Sequence, residues 1–120
     1  MNYWQGKKAI FLGDSITQGI YTPITGYPMK QMDIKYCDIA CKILGLEIKN
    51  YGMSGTCICS NTIQLPENAF IRRHMDMDDD ADLVCVLGGT NDYGTNVPLG
   101  TSKDGDENTF YGALDILCND

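Results

Sequence analysis

Three short polar runs in this chain carry the residue types that acyl transfer needs: Gly13-Asp14-Ser15, Asn50-Tyr51-Gly52 and Gly89-Thr90-Asn91-Asp92. Acyl transfer requires a nucleophile, together with hydrogen-bond donors aimed where negative charge develops on the carbonyl oxygen. Ser15 supplies a hydroxyl. The backbone N–H of Ser15, the backbone N–H of Gly52 and the side-chain amide of Asn91 are the candidate donors. Glycine at 52 lets a backbone approach closely, and an asparagine amide stabilises negative charge without titrating. Asp14 and Asp92 read as loop formers, because a short carboxylate bonds nearby amides and shapes a turn. Ser15 also has a plainer reading, as a serine capping a helix. That reading accounts for one run and leaves the other two unexplained.

Each run follows a stretch that reads as a strand. Residues 7–12 (KKAIFL) end in an apolar run and break at Gly13, which predicts a short buried strand. Residues 47–51 (EIKNY) partly alternate polar and apolar, as an edge strand does. Residues 83–87 (LVCVL) are continuously apolar, as expected for a strand covered on both faces. Tyr27-Pro28 predicts a helix start. That helix runs to Leu44, with Tyr36, Cys37, Ala40, Cys41 and Leu44 on one face and Gly45 as its C-cap. Residues 52–81 give a Gly/Ser/Cys loop, a helical turn and an acidic run. Phe110, Ala113, Leu114, Leu117 and Cys118 share the face of a last helix, with capping groups in residues 106–109. Strand, helix, strand, irregular crossover, strand, helix is the opening half of a doubly wound parallel sheet. Sites in such sheets form at the C-terminal ends of the strands, where all three runs fall.

In that context the run from Ile10 to Gly19 (IFLGDSITQG) resembles the first block of the SGNH, or GDSL, hydrolase family. Asn50-Tyr51-Gly52 resembles its glycine block, and Gly89-Thr90-Asn91-Asp92 its G-x-N-D block. The three blocks stand in the family's order, and the likeness spans nearly the whole chain, from about Lys7 to the last helix. The resemblance implies a flavodoxin-like three-layer α/β/α fold with a parallel sheet. It implies esterase, lipase or carbohydrate-esterase chemistry on a small-molecule or glycan ester, without metal or organic cofactor. It also implies Ser15 as nucleophile, with Gly52 and Asn91 as oxyanion donors. The family's fourth block, D-x-x-H, supplies an aspartate and the histidine base, and no D-x-x-H occurs in this sequence. Without a base a serine hydroxyl is a poor nucleophile at neutral pH, so the isolated chain is expected to be inactive or weakly active. A catalytically dead ester- or glycan-binding module is the alternative. A phosphate binder using residues 13–19 fits less well, since Asp14 places a carboxylate where phosphate would sit and no P-loop lysine follows.

The single histidine, His74, lies in Arg72-Arg73-His74-Met75. This is a crossover segment away from the strand ends, where a partly exposed turn residue is expected rather than a base within reach of Ser15. The 120-residue length suits one small domain, read as a C-terminally truncated hydrolase domain spanning 1–120. A hydrophobic content of 43% suits a globular core. The net charge of −7 repels phosphate backbones and disfavours nucleic acid as a partner. No apolar run approaches the length of a membrane span, and the first eight residues lack the apolar stretch of a signal peptide, which points to the cytoplasm. The six cysteines read as buried thiols of a reducing compartment. Only Cys57-Ile58-Cys59 is a close pair in a loop, and with one histidine it makes no zinc site. The acidic run 76–82 (DMDDDAD) lacks the central glycine and closing glutamate of a calcium loop, and reads as a solvated turn.

In a doubly wound sheet the first strand lies between the second and third. If the chain ends at Asp120, the C-terminal strands expected of the fold are missing, and the apolar edge of strand 83–87 is then expected to be exposed as a template for pairing. A homo-oligomer formed through that edge, or by exchange of the C-terminal segment, is expected. Light scattering on the chromatographed chain should return at least a dimer mass; a monomer would mean that the last helix or a loop shields the edge.

Overall fold

The computed structural model describes residues 2–103 and 105–120, which divide into two compact units. The first runs to Ser54 and takes in residues 78–87; the second comprises the described residues of 55–77 and 88–120. In the first unit, β1 (Lys8–Gly13) leads into a one-turn helix, α1 (Ser15–Gln18). A two-stranded antiparallel ribbon follows, β2 (Ile20–Tyr21) with β3 (Lys30–Gln31), then α2 (Tyr36–Leu44), β4 (Glu47–Gly52) and β5 (Leu83–Leu87). The main sheet is parallel with order β4-β1-β5, the order expected from the sequence, and the fold is mixed α/β.

β1 is the central strand. Ala9, Ile10 and Leu12 are fully buried and Phe11 nearly so. Alternate residues of a strand face one side, and on one side Ala9 and Phe11 meet Cys37 and Cys41 of α2, with Leu46. The two thiols lie four residues apart, so they stack on a single helix face. Trp4, Leu44, Leu83 and Cys85 close this core. Burial pushes the thiols of Cys37, Cys41 and Cys85 up, so they stay neutral and pack as small apolar groups.

The structure departs from the sequence expectations at three places. The helix expected from Tyr27-Pro28 begins only at Tyr36. Its apolar face also begins there, and Pro28 lies in the connection between β2 and β3, since a fixed φ suits a turn as well as a helix start. β5 is not covered on both faces: Val84 is 50% and Val86 44% exposed, while Leu83 and Cys85 turn to the core. An unbroken apolar run reports tolerance of burial on both faces, not its presence. The acidic run is more than a solvated turn. Lys8 Nζ reaches Asp78 Oδ2 and Asp80 Oδ1, both at 2.7 Å. Asp82 exchanges two hydrogen bonds with the Lys8 backbone: Lys8 N donates to its carboxylate and its own N–H donates to Lys8 O, each at 2.9 Å. The run clasps the start of β1.

The second unit contains a 3-10 turn (Pro66–Asn68), α3 (Phe70–Arg73), a second 3-10 turn (His74–Asp76), α4 (Thr90–Gly94) and α5 (Phe110–Asn119). Its buried apolar residues include Cys57, Ile58, Cys59, Ala69, Phe70 and Ala113. Thr109 caps α5 by accepting a hydrogen bond from Gly112 N at 3.1 Å, from within the capping segment expected from sequence. Among the described residues, no helix is long and apolar enough to cross a membrane.

Two substitutions separate the weight of core and clasp. Phe11→Ala removes a buried aromatic and should cost about 3–5 kcal/mol in urea unfolding. Lys8→Met should cost much less, because its ion pairs are exposed, and the loss should vanish in high salt. The hydrogen bond from Lys8 holds the Asp78 carboxyl below the usual carboxylate range. The clasp's contribution is therefore complete above pH ~4 and disappears as pH falls through the lowered value.

Candidate active site

Ser15 is the first residue of α1, at the C-terminal end of β1. The turn between them is closed by Asp14, whose Oδ1 accepts from Ile16 N at 2.9 Å. Gln18 N donates to Asp14 O at 2.9 Å and Gly19 N to Ser15 O at 2.7 Å, completing the single turn. Because Asp14 takes the Ile16 amide, it leaves the Ser15 N–H uncommitted to the cap. Ser15 itself is partly buried. Among the described residues, none hydrogen-bonds its Oγ. The other carboxylate oxygen of Asp14, Oδ2, is buried without a hydrogen-bond partner among the described residues.

The last residue of β1 has no room for a side chain. A Cβ on Gly13 would collide with the Thr17 hydroxyl and Cβ, and stand 3.1 Å from Leu87 O. The register places Gly13 beside Gly52. A Cβ on Gly52 would strike Gln18 N and stand 2.8 Å from Gln18 Cα and Thr17 C, all backbone atoms of α1. The two strand ends and the helix can close only because both positions are glycine. Around this junction Met53 N donates to Gly13 O at 3.0 Å, Ser54 N donates to Gln18 Oε1 at 2.7 Å, and Thr17 Oγ1 lies 2.9 Å from Tyr36 OH.

Asn50 does more than its place in the second run suggested. Its Nδ2 donates to Thr17 O at 2.8 Å and its Oδ1 accepts from Gly52 N at 2.7 Å. One amide thereby staples β4 to α1 and occupies the N–H assigned from sequence to oxyanion binding. An amide at a strand end, able to donate and accept at once, was the available signal.

Asn91 belongs to the second unit, on α4. Its Nδ2 donates to Thr56 O at 2.9 Å, using one of its two hydrogens. The neighbouring Asp92, 2% exposed, reaches beyond its own loop: Oδ2 accepts from Ile58 N and Oδ1 from Cys59 N, both at 2.9 Å. It clamps α4 to the Cys57-Ile58-Cys59 loop. Cys59 Sγ bonds Glu107 O at 3.2 Å, and burial pushes its thiol up. Among the described residues, no group of three or more His, Cys, Asp or Glu is placed to hold a metal ion.

His74 also lies in the second unit. It stands in the second 3-10 turn and is partly exposed as a residue, as expected, but its side chain is only 7% exposed and both ring nitrogens face acceptors: Phe70 O at 3.1 Å and Asp120 Oδ2 at 3.0 Å. Ser15 opens α1 and Gly52 packs against the α1 backbone at Thr17 and Gln18, both in the first unit, while Asn91 and His74 belong to the second.

No protein-family model and no curated protein matches the chain. Solved structures do. A Lactobacillus plantarum protein is 36% identical with a TM-score of 0.72, over 96% of this chain and 49% of its own. A Bacteroides uniformis protein named for a likeness to GDSL lipases is 23% identical with a TM-score of 0.73, over 99% of this chain and 67% of its own. The aryl esterase of M. smegmatis is 21% identical with a TM-score of 0.73, over 95% of this chain and 54% of its own. The mixed α/β fold with its parallel three-stranded sheet is therefore the fold of SGNH hydrolase-like proteins. The chain spans about half the length of the Lactobacillus plantarum protein.

Gly52→Ala should force α1 away from β4 and cost about 1–3 kcal/mol. Asp92→Asn sets an amide NH2 against a backbone N–H and should cost about 1–3 kcal/mol. Urea unfolding measures both, and an unchanged midpoint in either variant would contradict the packing described for it.

Proposed function

We propose that this chain is part of a serine acyl-ester hydrolase of the SGNH (GDSL) family, acting on small-molecule or glycan esters. Ser15 Oγ attacks the ester carbonyl and its proton passes to a base. The carbonyl oxygen becomes an oxyanion held by Ser15 N–H, Gly52 N–H and the Asn91 amide. Collapse expels the alcohol and leaves acyl-Ser15, which water then hydrolyses. The observation that carries this reading is the setting of Ser15: first residue of a one-turn helix at a parallel strand end, hydroxyl unbonded among the described residues, with Asp14 capping through Ile16 N. The likeness in fold to a named aryl esterase supports it. The second hydrogen of the Asn91 amide remains for an oxyanion, and Gly52 would pass its hydrogen bond from Asn50 to that oxyanion. Pairing of a second copy along β5 belongs to the same proposal.

One observation favours a second reading, an ester- or glycan-binding module without turnover: no described residue reaches Ser15 Oγ as a base, and His74 is held between Phe70 and Asp120. Added imidazole separates the two, because it can take the serine proton from solution. The parent chain should hydrolyse p-nitrophenyl acetate slowly. Imidazole should raise that rate well above the rate it gives with Ser15→Ala, and a fluorophosphonate should label the parent alone. Equal rates in parent and variant, with no labelling, would leave the binding module.

A further inference from the structure

Asn91 can donate to an anion only if its side-chain nitrogen, not its oxygen, faces outward. The two ends of an asparagine amide have nearly the same shape, but the nitrogen donates where the oxygen accepts. A wrongly turned amide would repel the charge it should hold. Within the second unit the orientation is set by Thr56, whose backbone carbonyl accepts from Asn91 Nδ2 at 2.9 Å. A carbonyl oxygen admits the amide nitrogen beside it and repels the amide oxygen. The two hydrogens of that nitrogen diverge in one plane, so bonding one to Thr56 fixes the direction of the other.

Thr56 is 1% exposed, and its hydroxyl accepts from Arg73 Nη2 at 3.2 Å. Arg73 Nε donates to Asn68 O at 2.8 Å, and the guanidinium carbon lies 5.2 Å from the centre of the Phe70 ring. A guanidinium is planar and rigid, so these contacts hold Thr56 against α3 in one geometry. Hydrogen bonds from a charged donor are also stronger than neutral ones. Arg72 shows the alternative: its side chain is 48% exposed and reaches Ser60 and Glu107, as a surface arginine does. Arg73 instead turns inward, and burial pushes its pKa down from the usual guanidinium value. Taking a cation out of water is costly. Covering Phe70 needs only the apolar stem of Arg73; the bonds to Thr56 and Asn68 need its head group.

The main chain of Asn91 is fixed separately. Its carbonyl accepts from Thr95 N and Thr95 Oγ1, both at 2.9 Å, and the Thr95 hydroxyl accepts from Thr62 Oγ1 at 3.0 Å. A threonine bonding the carbonyl four residues back is an ordinary helix feature. It sets the backbone of α4 and leaves the direction of the amide to Thr56.

We infer that Arg73 is a positioning residue: through Thr56 it turns the Asn91 amide so that α4 offers a donor. The use of that donor for an oxyanion rests on the hydrolase reading; the orientation of the amide does not.

Orientation can be read without turnover. In the isotopically labelled chain the two Asn91 side-chain protons should resonate apart, and the one bonded to Thr56 should exchange slowly with water. In Arg73→Met, which keeps an apolar stem, that exchange should rise at least tenfold and the two resonances should draw together. Arg73→Lys, with the charge but not the fork, should fall between the parent and Arg73→Met. Arg72→Met should leave both protons unchanged. If Arg73→Met does not fold, Thr56→Val removes the hydroxyl that Arg73 bonds and should give the same faster exchange. In imidazole-assisted hydrolysis of p-nitrophenyl acetate, Arg73→Met should lower the Ser15-dependent kcat about tenfold with KM nearly unchanged, less than the roughly hundredfold or more that removing an oxyanion donor costs. Adding Arg73→Met to Asn91→Ala should slow that variant no further, whereas a general folding defect would. Unchanged exchange of the Asn91 protons in these variants, or additive losses in the double variant, would overturn the inference. A parent chain without Ser15-dependent turnover would retire the hydrolase reading, and the exchange measurement would still decide for or against Arg73.

Discussion

The first unit depends on the crowding at the end of β1. Gly13 and Gly52 stand side by side in the register, and the backbone of α1 packs where a side chain on Gly52 would be. Everything that sets Ser15 follows from that contact: the single turn of helix, the Asp14 cap, the Asn50 staple and the bond from Ser54 N to Gln18. A side chain at either glycine would not merely add bulk. It would have to displace Thr17 in one case and helix backbone in the other, and neither is the flexible end of a long side chain.

The second unit is organised around a buried carboxylate. Asp92 leaves water almost entirely, which is costly for a charged group unless its oxygens find donors. It finds one backbone amide for each oxygen, and charge-assisted hydrogen bonds of this kind are stronger than neutral ones. The Cys57-Ile58-Cys59 loop thereby gains a fixed relation to α4, with Cys59 tied on to Glu107. Asp14 in the first unit is the contrasting case: one oxygen caps a helix and the other is buried without a partner among the described residues. The same residue type beside each of two site residues therefore does different work.

Much of the architecture was legible from pattern. β1, β4, β5 and α5 lie within a residue or so of their sequence spans, because strand alternation, unbroken apolar runs and a helical face each leave a readable period. The order of the strands also agrees with the doubly wound scheme. The one-turn helices α1, α3 and α4 had no such trace, since four or five residues are too few to show a 3.6-residue repeat. The start of α2 was misplaced for a related reason: proline marks a change of direction without saying whether a helix or a ribbon follows.

The sequence by itself determined that a serine, a glycine and an asparagine would stand at the ends of parallel strands or in the helices that follow them, because residue type and hydrophobic period are local properties. The tertiary structure alone decided that Gly52 would give its N–H to Asn50, that Asp92 would clamp a loop more than thirty residues away in sequence, and that His74 would be held by Phe70 and Asp120. Those outcomes depend on which donors and acceptors folding brings within about 3 Å, and spacing along the chain does not encode that distance.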